Sequence, residues 1–235
     1  MAHSIITTAG TLARVLIGTW LLIGPPAAHG LDSPARLRED EESIESGLRV
    51  PDGLEWGRYD VHCEVRVLSS GIPFDVTCYA LDSAVPQKLV DAIRRAAQRA
   101  KFIPARRDGK PANVYMVIMV RTVIGRGEPL VLVLPNNGVE HKRLGLFYIA
   151  PQRFNEFNWG FAYEGSPPGT LIWQELWIDE HGKVTKSQTT NASGARVKDV
   201  EAVRRSVANM QFMPGFFEGK PVPMRYVEPA FSSGK

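Results

Sequence analysis

One ten-residue pattern occurs twice in this chain and limits what it can fold into. Residues 102–111 read FIPARRDGKP and residues 212–221 read FMPGFFEGKP, an offset of 110 positions. The likeness runs upstream. At the same offset DAIRRAAQRAKF (91–102) lies over EAVRRSVANMQF (201–212), and at an offset of 111 CEVRVLSSG (63–71) lies over QELWIDEHG (174–182). Two copies of one supersecondary unit is the economical reading.

Each copy can be read as structure. In the first, Val61, Cys63, Val65 and Val67 alternate with His62, Glu64 and Arg66, the period of a half-buried strand. After SSG, Phe74, Val76, Cys78 and Ala80 alternate in the same way. A two-residue Ser70-Gly71 loop predicts that Val67 faces Phe74, Val65 faces Val76 and Cys63 faces Cys78, with every such pair apolar. Asp82 or Ser83 is then placed to cap a helix with Pro86 in its first turn, and Leu89, Ile93, Ala96 and Ala100 recur at helical spacing. The matching stripe in the second copy is Val197, Val200, Val203, Val207 and Met210. Each decapeptide reads as a helix-to-strand connector: Phe102 and Phe212 bury a ring, Pro104 and Pro214 end the helix, and Gly109 and Gly219 supply a turn. A third strand follows at 112–120 and at 222–227. The expected fold class is α+β, two units of hairpin, helix and strand, each small for a core of its own and so expected either to pack together or to form two layered lobes.

The front of the chain differs in composition. Residues 1–30 hold no acid and one charged side chain, Arg14, followed by the apolar run VLIGTWLLIG and then PPAAHG. Ten apolar residues broken by Pro25 and Pro26 are too few to span a bilayer, while Ala28 and Gly30 suit a signal peptidase. We expect a signal peptide over 1–30, cleavage before Leu31, and a periplasmic protein. The alternative is an uncleaved inner-membrane anchor, with Arg14 inside the apolar span at a cost of several kcal/mol. Without residues 1–30 the net charge falls from +3 to +2. That is too balanced for a phosphate-tracking stripe, so no nucleic-acid partner is expected. The remainder divides into an acidic linker (31–54), the first unit (55–124), a linking segment (125–170) and the second unit (171–235).

The order of hairpin with a glycine turn, ASG at 192–194, helix, FMPGFFEGKPVPM and a last strand resembles the TonB C-terminal domain family, whose hallmark is an aromatic-x-Pro, a spacer and Gly-x-Pro before the final strand. The first copy carries the shorter match, FIPARRDGKP. The resemblance implies a three-stranded antiparallel sheet with a helix on one face, and a final strand whose rim recruits an extended segment of an outer-membrane transporter or another envelope protein. Unpaired backbone groups on such a rim are a template for another strand. The residues so implicated are Val114, Met116, Ile118 and Val120 in the first copy, and Val222, Met224 and Tyr226 in the second, where Pro223 removes one donor. The opposite expectation, that the rest of the chain covers both strands, stays open.

The chain departs from an energy transducer of that family. It carries 31–54 in place of a long Pro-rich spacer, and a segment read as cleavable in place of an anchor. The expected function is therefore non-catalytic protein binding, with a membrane-anchored transducer second and an envelope enzyme third. Membrane contact is expected only if the N-terminal segment is retained.

Little else carries chemistry. Cys63 and Cys78 face each other in the expected register, and export permits a disulfide closing a loop of about 15 residues. Counting from a two-residue loop puts them on a wide hydrogen-bonded pair, which disfavours bridging. A disulfide and two buried thiols are both kept. Gln174 and Thr189 hold these positions in the second copy. His62, His141 and His181 come with no metal-ligand spacing, nucleophile motif or phosphate loop, so no cofactor, metal or small-molecule substrate is expected. In the linking segment EPLVLVLP and LGLFYIA read as a hairpin around the turn NNG at 136–138. Phe154, Phe157, Trp159, Phe161 and Tyr163 then form an aromatic cluster, either a recognition loop or a plug between the copies.

Overall fold

The protein is described from a computed structural model covering residues 32–154, 171–207 and 210–231. The expected signal segment with its cleavage point before Leu31, and Phe157, Trp159, Phe161 and Tyr163 of the aromatic cluster, lie outside the described residues.

The fold is mixed α+β with mostly antiparallel sheets. The first half runs β1 (Arg36–Leu37), α1 (Ile44–Gly47), β2 (Gly57–Val67), β3 (Pro73–Tyr79), α2 (Gln87–Arg99), β4 (Phe102–Ile103), β5 (Ala105–Arg107), β6 (Lys110–Ala112) and β7 (Val114–Ile124). The linking part holds β8 (Leu130–Leu134), α3 (His141–Leu144) and β9 (Gln152–Arg153). The second half runs β10 (Leu171–Ile178), β11 (Val184–Ser193), α4 (Val197–Val207), β12 (Phe212–Met213), β13 (Gly215–Phe217), β14 (Lys220–Val222) and β15 (Met224–Phe231). One sheet is ordered β12-β9-β7-β2-β3 with β8 also on β7, and another is ordered β11-β10-β15.

Alternation decides the inner face of the first sheet. Val61, Cys63, Val65 and Val67 of β2 and Val114, Met116, Ile118 and Val120 of β7 are buried in one core with Leu89, Ile93, Ala96 and Ala97 of α2. The helix begins at Gln87 with Pro86 as its cap residue and no side-chain cap. Asp82 instead accepts a bond from the amide of Ala84, closing a turn before the helix. In the second half Val203, Val207 and Met210 are buried as the stripe predicts, but Val197, at the first turn of α4, is 75% exposed.

The first hairpin keeps the expected register at one end only. Cys63 faces Cys78, and Glu64 faces Thr77, but Arg66 faces Phe74 and Val67 faces Pro73. The loop has three residues, not two: the amide of Leu68 donates to Ile72 O at 3.0 Å and that of Gly71 to Leu68 O at 2.8 Å. One extra residue on β3 absorbs the change as a bulge, and Asp75 there has φ +50°. The slip turns Phe74 to the other face, where it is 50% exposed with the Arg66 guanidinium 5.6 Å above its ring. The second hairpin closes in the same way, with Asp179 N bonded to Lys183 O and Gly182 N to Asp179 O, both at 3.0 Å.

Each connector is itself a small hairpin. Arg107 faces Lys110 and Phe217 faces Lys220. The two loop residues have φ +50° and +74° at Asp108-Gly109, and +50° and +75° at Glu218-Gly219. Positive φ at both central residues is the type I′ turn, which explains why an acid and then glycine precede Lys-Pro in both copies. The phenylalanine that opens each connector returns to the hairpin loop. Phe102 N donates to Gly71 O at 2.9 Å, and Phe212 N to Gly182 O at 3.2 Å. A Cβ on either glycine would collide with the facing Phe carbonyl oxygen.

Residues 32–54, expected to be an acidic linker, are built into the first half. β1 pairs with β4, Ser33 exchanges both backbone bonds with Arg106, and Ala35, Ile44 and Leu48 enter the core. Residues 149–153 treat the second connector alike: β9 pairs with β12, and Ile149 exchanges both backbone bonds with Phe216. The two arms also meet, since the buried Gln152 side chain accepts from Ala35 N and donates to Ala35 O, each at 2.8 Å. Composition misled here, because a charged segment can still bury the few apolar residues that backbone pairing brings inside.

The linking segment forms half of its expected hairpin. β8 pairs antiparallel with β7, and Asn136 Oδ1 accepts from Gly138 N at the turn. LGLFYIA, however, forms no second strand: α3 ends at Leu144, Phe147 is 71% exposed, and Ile149 bridges to Phe216.

Candidate functional site

The rim of the first last strand is sealed. β7 carries β2 along one side, and on the other β8 from Met119 to Val123 and β9 at Tyr115. Val114, Met116, Ile118 and Val120 are all fully buried on the α2 face. They are core residues, and the expectation that they form a free edge is corrected.

The second last strand is differently placed. Val222 belongs to β14, since the chain breaks at Pro223 before β15. Met224 and Tyr226 are buried among Leu176, Val207 and Phe212. An antiparallel strand turns both backbone groups of alternate residues to one side. Arg225 N donates to Glu140 Oε1 at 2.9 Å and Val227 O accepts from Asn137 Nδ2 at 3.0 Å, so these two residues form the rim away from β10. Arg143 Nη2 also reaches Pro223 O at 2.8 Å. Side chains of the linking segment thus cap this rim over 223–227. Burial opposes ionisation of Glu140, yet the Arg143 guanidinium at 2.7 Å and the Arg225 amide hold its carboxyl below the usual range.

Sequence reasoning missed a buried charged cluster where the halves meet. Arg153 of β9 sends Nη2 to Glu64 Oε2 of β2 at 2.6 Å and to Glu228 Oε1 of β15 at 2.7 Å, with its guanidinium 4.5 Å from the Tyr115 ring centroid. Arg153 and Glu228 are buried, and Glu64 is partly exposed. Burial is the main cause that pushes the Glu228 carboxyl up to about 8; Arg153 opposes the rise and Glu64 adds to it. Burial likewise holds the Tyr79 and Tyr226 hydroxyls protonated. The signal lay in the repeat. Ile118 and Glu228 are 110 positions apart, and Leu37 and Arg153 are the arm residues facing Phe102 and Phe212. Two hydrocarbon positions of the first half correspond to the two partners of an ion pair in the second.

Cys63 and Cys78 are disulfide-bonded with Cα atoms 4.1 Å apart, a narrow pair, because the longer loop and the bulge shift the strand parity. At the matching positions Thr189 donates its hydroxyl to Gln174 Oε1 at 3.1 Å. His62 stacks on Tyr79 at 5.8 Å, His141 shares a 3.0 Å contact with Asn136 Oδ1, and His181 lies exposed in its turn. Among the described residues no group of three His, Cys, Asp or Glu side chains could hold a metal ion, and no helix is long and apolar enough to cross a membrane. A groove of about 1120 Å³ runs between the first arm, β8 and the second connector, and a cleft of about 450 Å³ opens beside Glu140, Arg143, Trp177 and Arg225. No known protein family, curated protein or solved structure matches the chain.

Proposed function

We propose that this chain is a duplicated, TonB-C-like, non-catalytic binding module of the periplasm, which takes an extended segment of an outer-membrane transporter or another envelope protein by strand addition along the outer rim of β15. One observation carries the reading: β8 adds antiparallel to β7 across Met119–Val123, on the side away from the hairpin. The first half therefore holds, within one chain, the pairing that a partner makes on the second. At an offset of 110 the equivalent rim of β15 begins at Pro229, just beyond the stretch capped by Asn137 and Glu140. Pro229 has no amide to give, so the partner gains its bonds from flanking backbone groups. The disulfide fits an oxidising compartment.

The test is titration of the full chain with extended peptides from outer-membrane transporter termini, followed by amide chemical shifts. The expected result is perturbation of β15 amides, strengthened roughly tenfold in Asn137→Ala/Glu140→Ala, where the rim is uncapped. Peptides that leave β15 unmoved in both proteins, or that perturb β3 or β11 instead, overturn the proposal.

A further inference from the structure

The buried ion cluster is not what packing alone would select. At the corresponding place in the first half, Ile118 and Leu37 fill space with hydrocarbon, and both belong to or pack on its core. Replacing a buried ion pair by apolar groups is often neutral or stabilising, so an ion pair at a site that the same architecture fills with hydrocarbon asks for another role. Three separate elements supply its members: Glu64 from β2, Arg153 from β9 and Glu228 from β15. Two carboxylates share a single guanidinium nitrogen, Arg153 Nη2, at 2.6 and 2.7 Å.

We infer that Glu64, Arg153 and Glu228 form a proton-operated latch holding the second sheet on the first. With one proton on the carboxylate pair, Arg153 balances the single remaining negative charge, and the latch is closed. Removal of that proton leaves two carboxylates against one guanidinium in a buried site, and their mutual repulsion is relieved by moving β15 away from β2. A second cation stands near: Arg66 of β2, two residues along from Glu64 on the same face, lies 5.7 Å from the Tyr115 ring centroid. Its guanidinium is spent on the Phe74 and Tyr115 rings and makes no ion pair with Glu64 or Glu228. Tyr79 from β3 and Tyr115 from β7 are phenols, Gln174 of β10 stands opposite Glu228 in the register, and Tyr226 lies two residues along β15. His62, on the Tyr79 ring, is held toward its neutral form mainly by burial. The titrating proton resides on Glu228, whose carboxyl is the more deeply buried of the two. This inference goes beyond the binding proposal and does not need it.

The test is hydrogen–deuterium exchange of the full chain between about pH 6 and pH 9.5, with rates corrected for intrinsic pH dependence. Protection of β15 amides is expected to fall about tenfold across the midpoint near pH 8, while α2 amides keep theirs. Glu228→Gln is expected to abolish the fall. Glu64→Gln leaves Glu228 and Arg153 as a balanced pair, so the fall is again expected to vanish, and this variant decides the matter if Glu228→Gln does not fold. A wild-type profile that is flat across this range, or a fall that persists in both variants, overturns the latch. Peptide binding is read separately, so loss of one result leaves the other standing.

Discussion

Gly71 and Gly182 are constrained twice, by φ of +81° and +77° and by the Phe carbonyl that each receives. Alanine at either position strains the backbone and pushes apart the hairpin loop and the connector. Each change is expected to destabilise the protein by about 2–3 kcal/mol, read from denaturant midpoints. Gly219 provides the control: its φ is +75° but no atom lies within reach of a Cβ, so Gly219→Ala is expected to cost only about 1 kcal/mol. Equal losses at the three sites would show that the Phe contact is incidental. The disulfide acts at the same scale. It closes a separation of 15 residues, and Cys63→Ala/Cys78→Ala is expected to lose about 3 kcal/mol. A thermal melt unchanged by reductant would contradict that. The pairing of Cys63 with Cys78 was legible because alternation sets which residues share a face. The narrowness of the pair was not, since it depends on a bulge at Asp75 that no residue in PFDVTCY announces.

Among the elements, the short arms do the joining. β1 and β9 each hold one connector, and Gln152 ties arm to arm through both backbone groups of Ala35. Across the same junction Arg107 donates to Gln211 Oε1 at 3.1 Å and lies 4.6 Å from the Phe154 ring centroid. Gln152→Ala leaves a buried amide and carbonyl without their partner, a loss of about 2 kcal/mol. Limited proteolysis is the sharper readout: cleavage within residues 32–54 is expected to accelerate in Gln152→Ala. An unchanged digestion pattern would mean that β1 is held by β4 alone. Two-residue strands carry almost no periodic signal, which is why both arms escaped the sequence reading while β2, β7 and α2 did not.

For the whole molecule, pH is the informative variable. Glu228 titrates near 8 when folded and in the ordinary carboxylate range when unfolded. The folded protein therefore holds a proton that the unfolded chain releases. Stability owed to this group is complete only below the ordinary carboxylate range, declines as pH rises from there toward 8, and levels off above it. Glu228→Gln removes that slope, so its melting temperature is expected to exceed that of the wild type at pH 8.5 by several degrees and to approach it only near about pH 4. A wild type more stable at pH 8.5 than at pH 5, with Glu228→Gln following the same trend, would refute this account.

From residue order alone came the two hairpin, helix and strand segments, the glycine turns, the connectors and the facing cysteines, because each rests on local backbone preference or on the period of a strand or helix. Tertiary structure decided how the rims are covered, since whether β8 covers β7 or Asn137 and Glu140 cap β15 depends on contacts between segments far apart in the chain. It also decided that Glu64, Arg153 and Glu228 share one site. Charge in a sequence has no position until folding removes the water around it, and burial is what turned three ordinary residues into a coupled group.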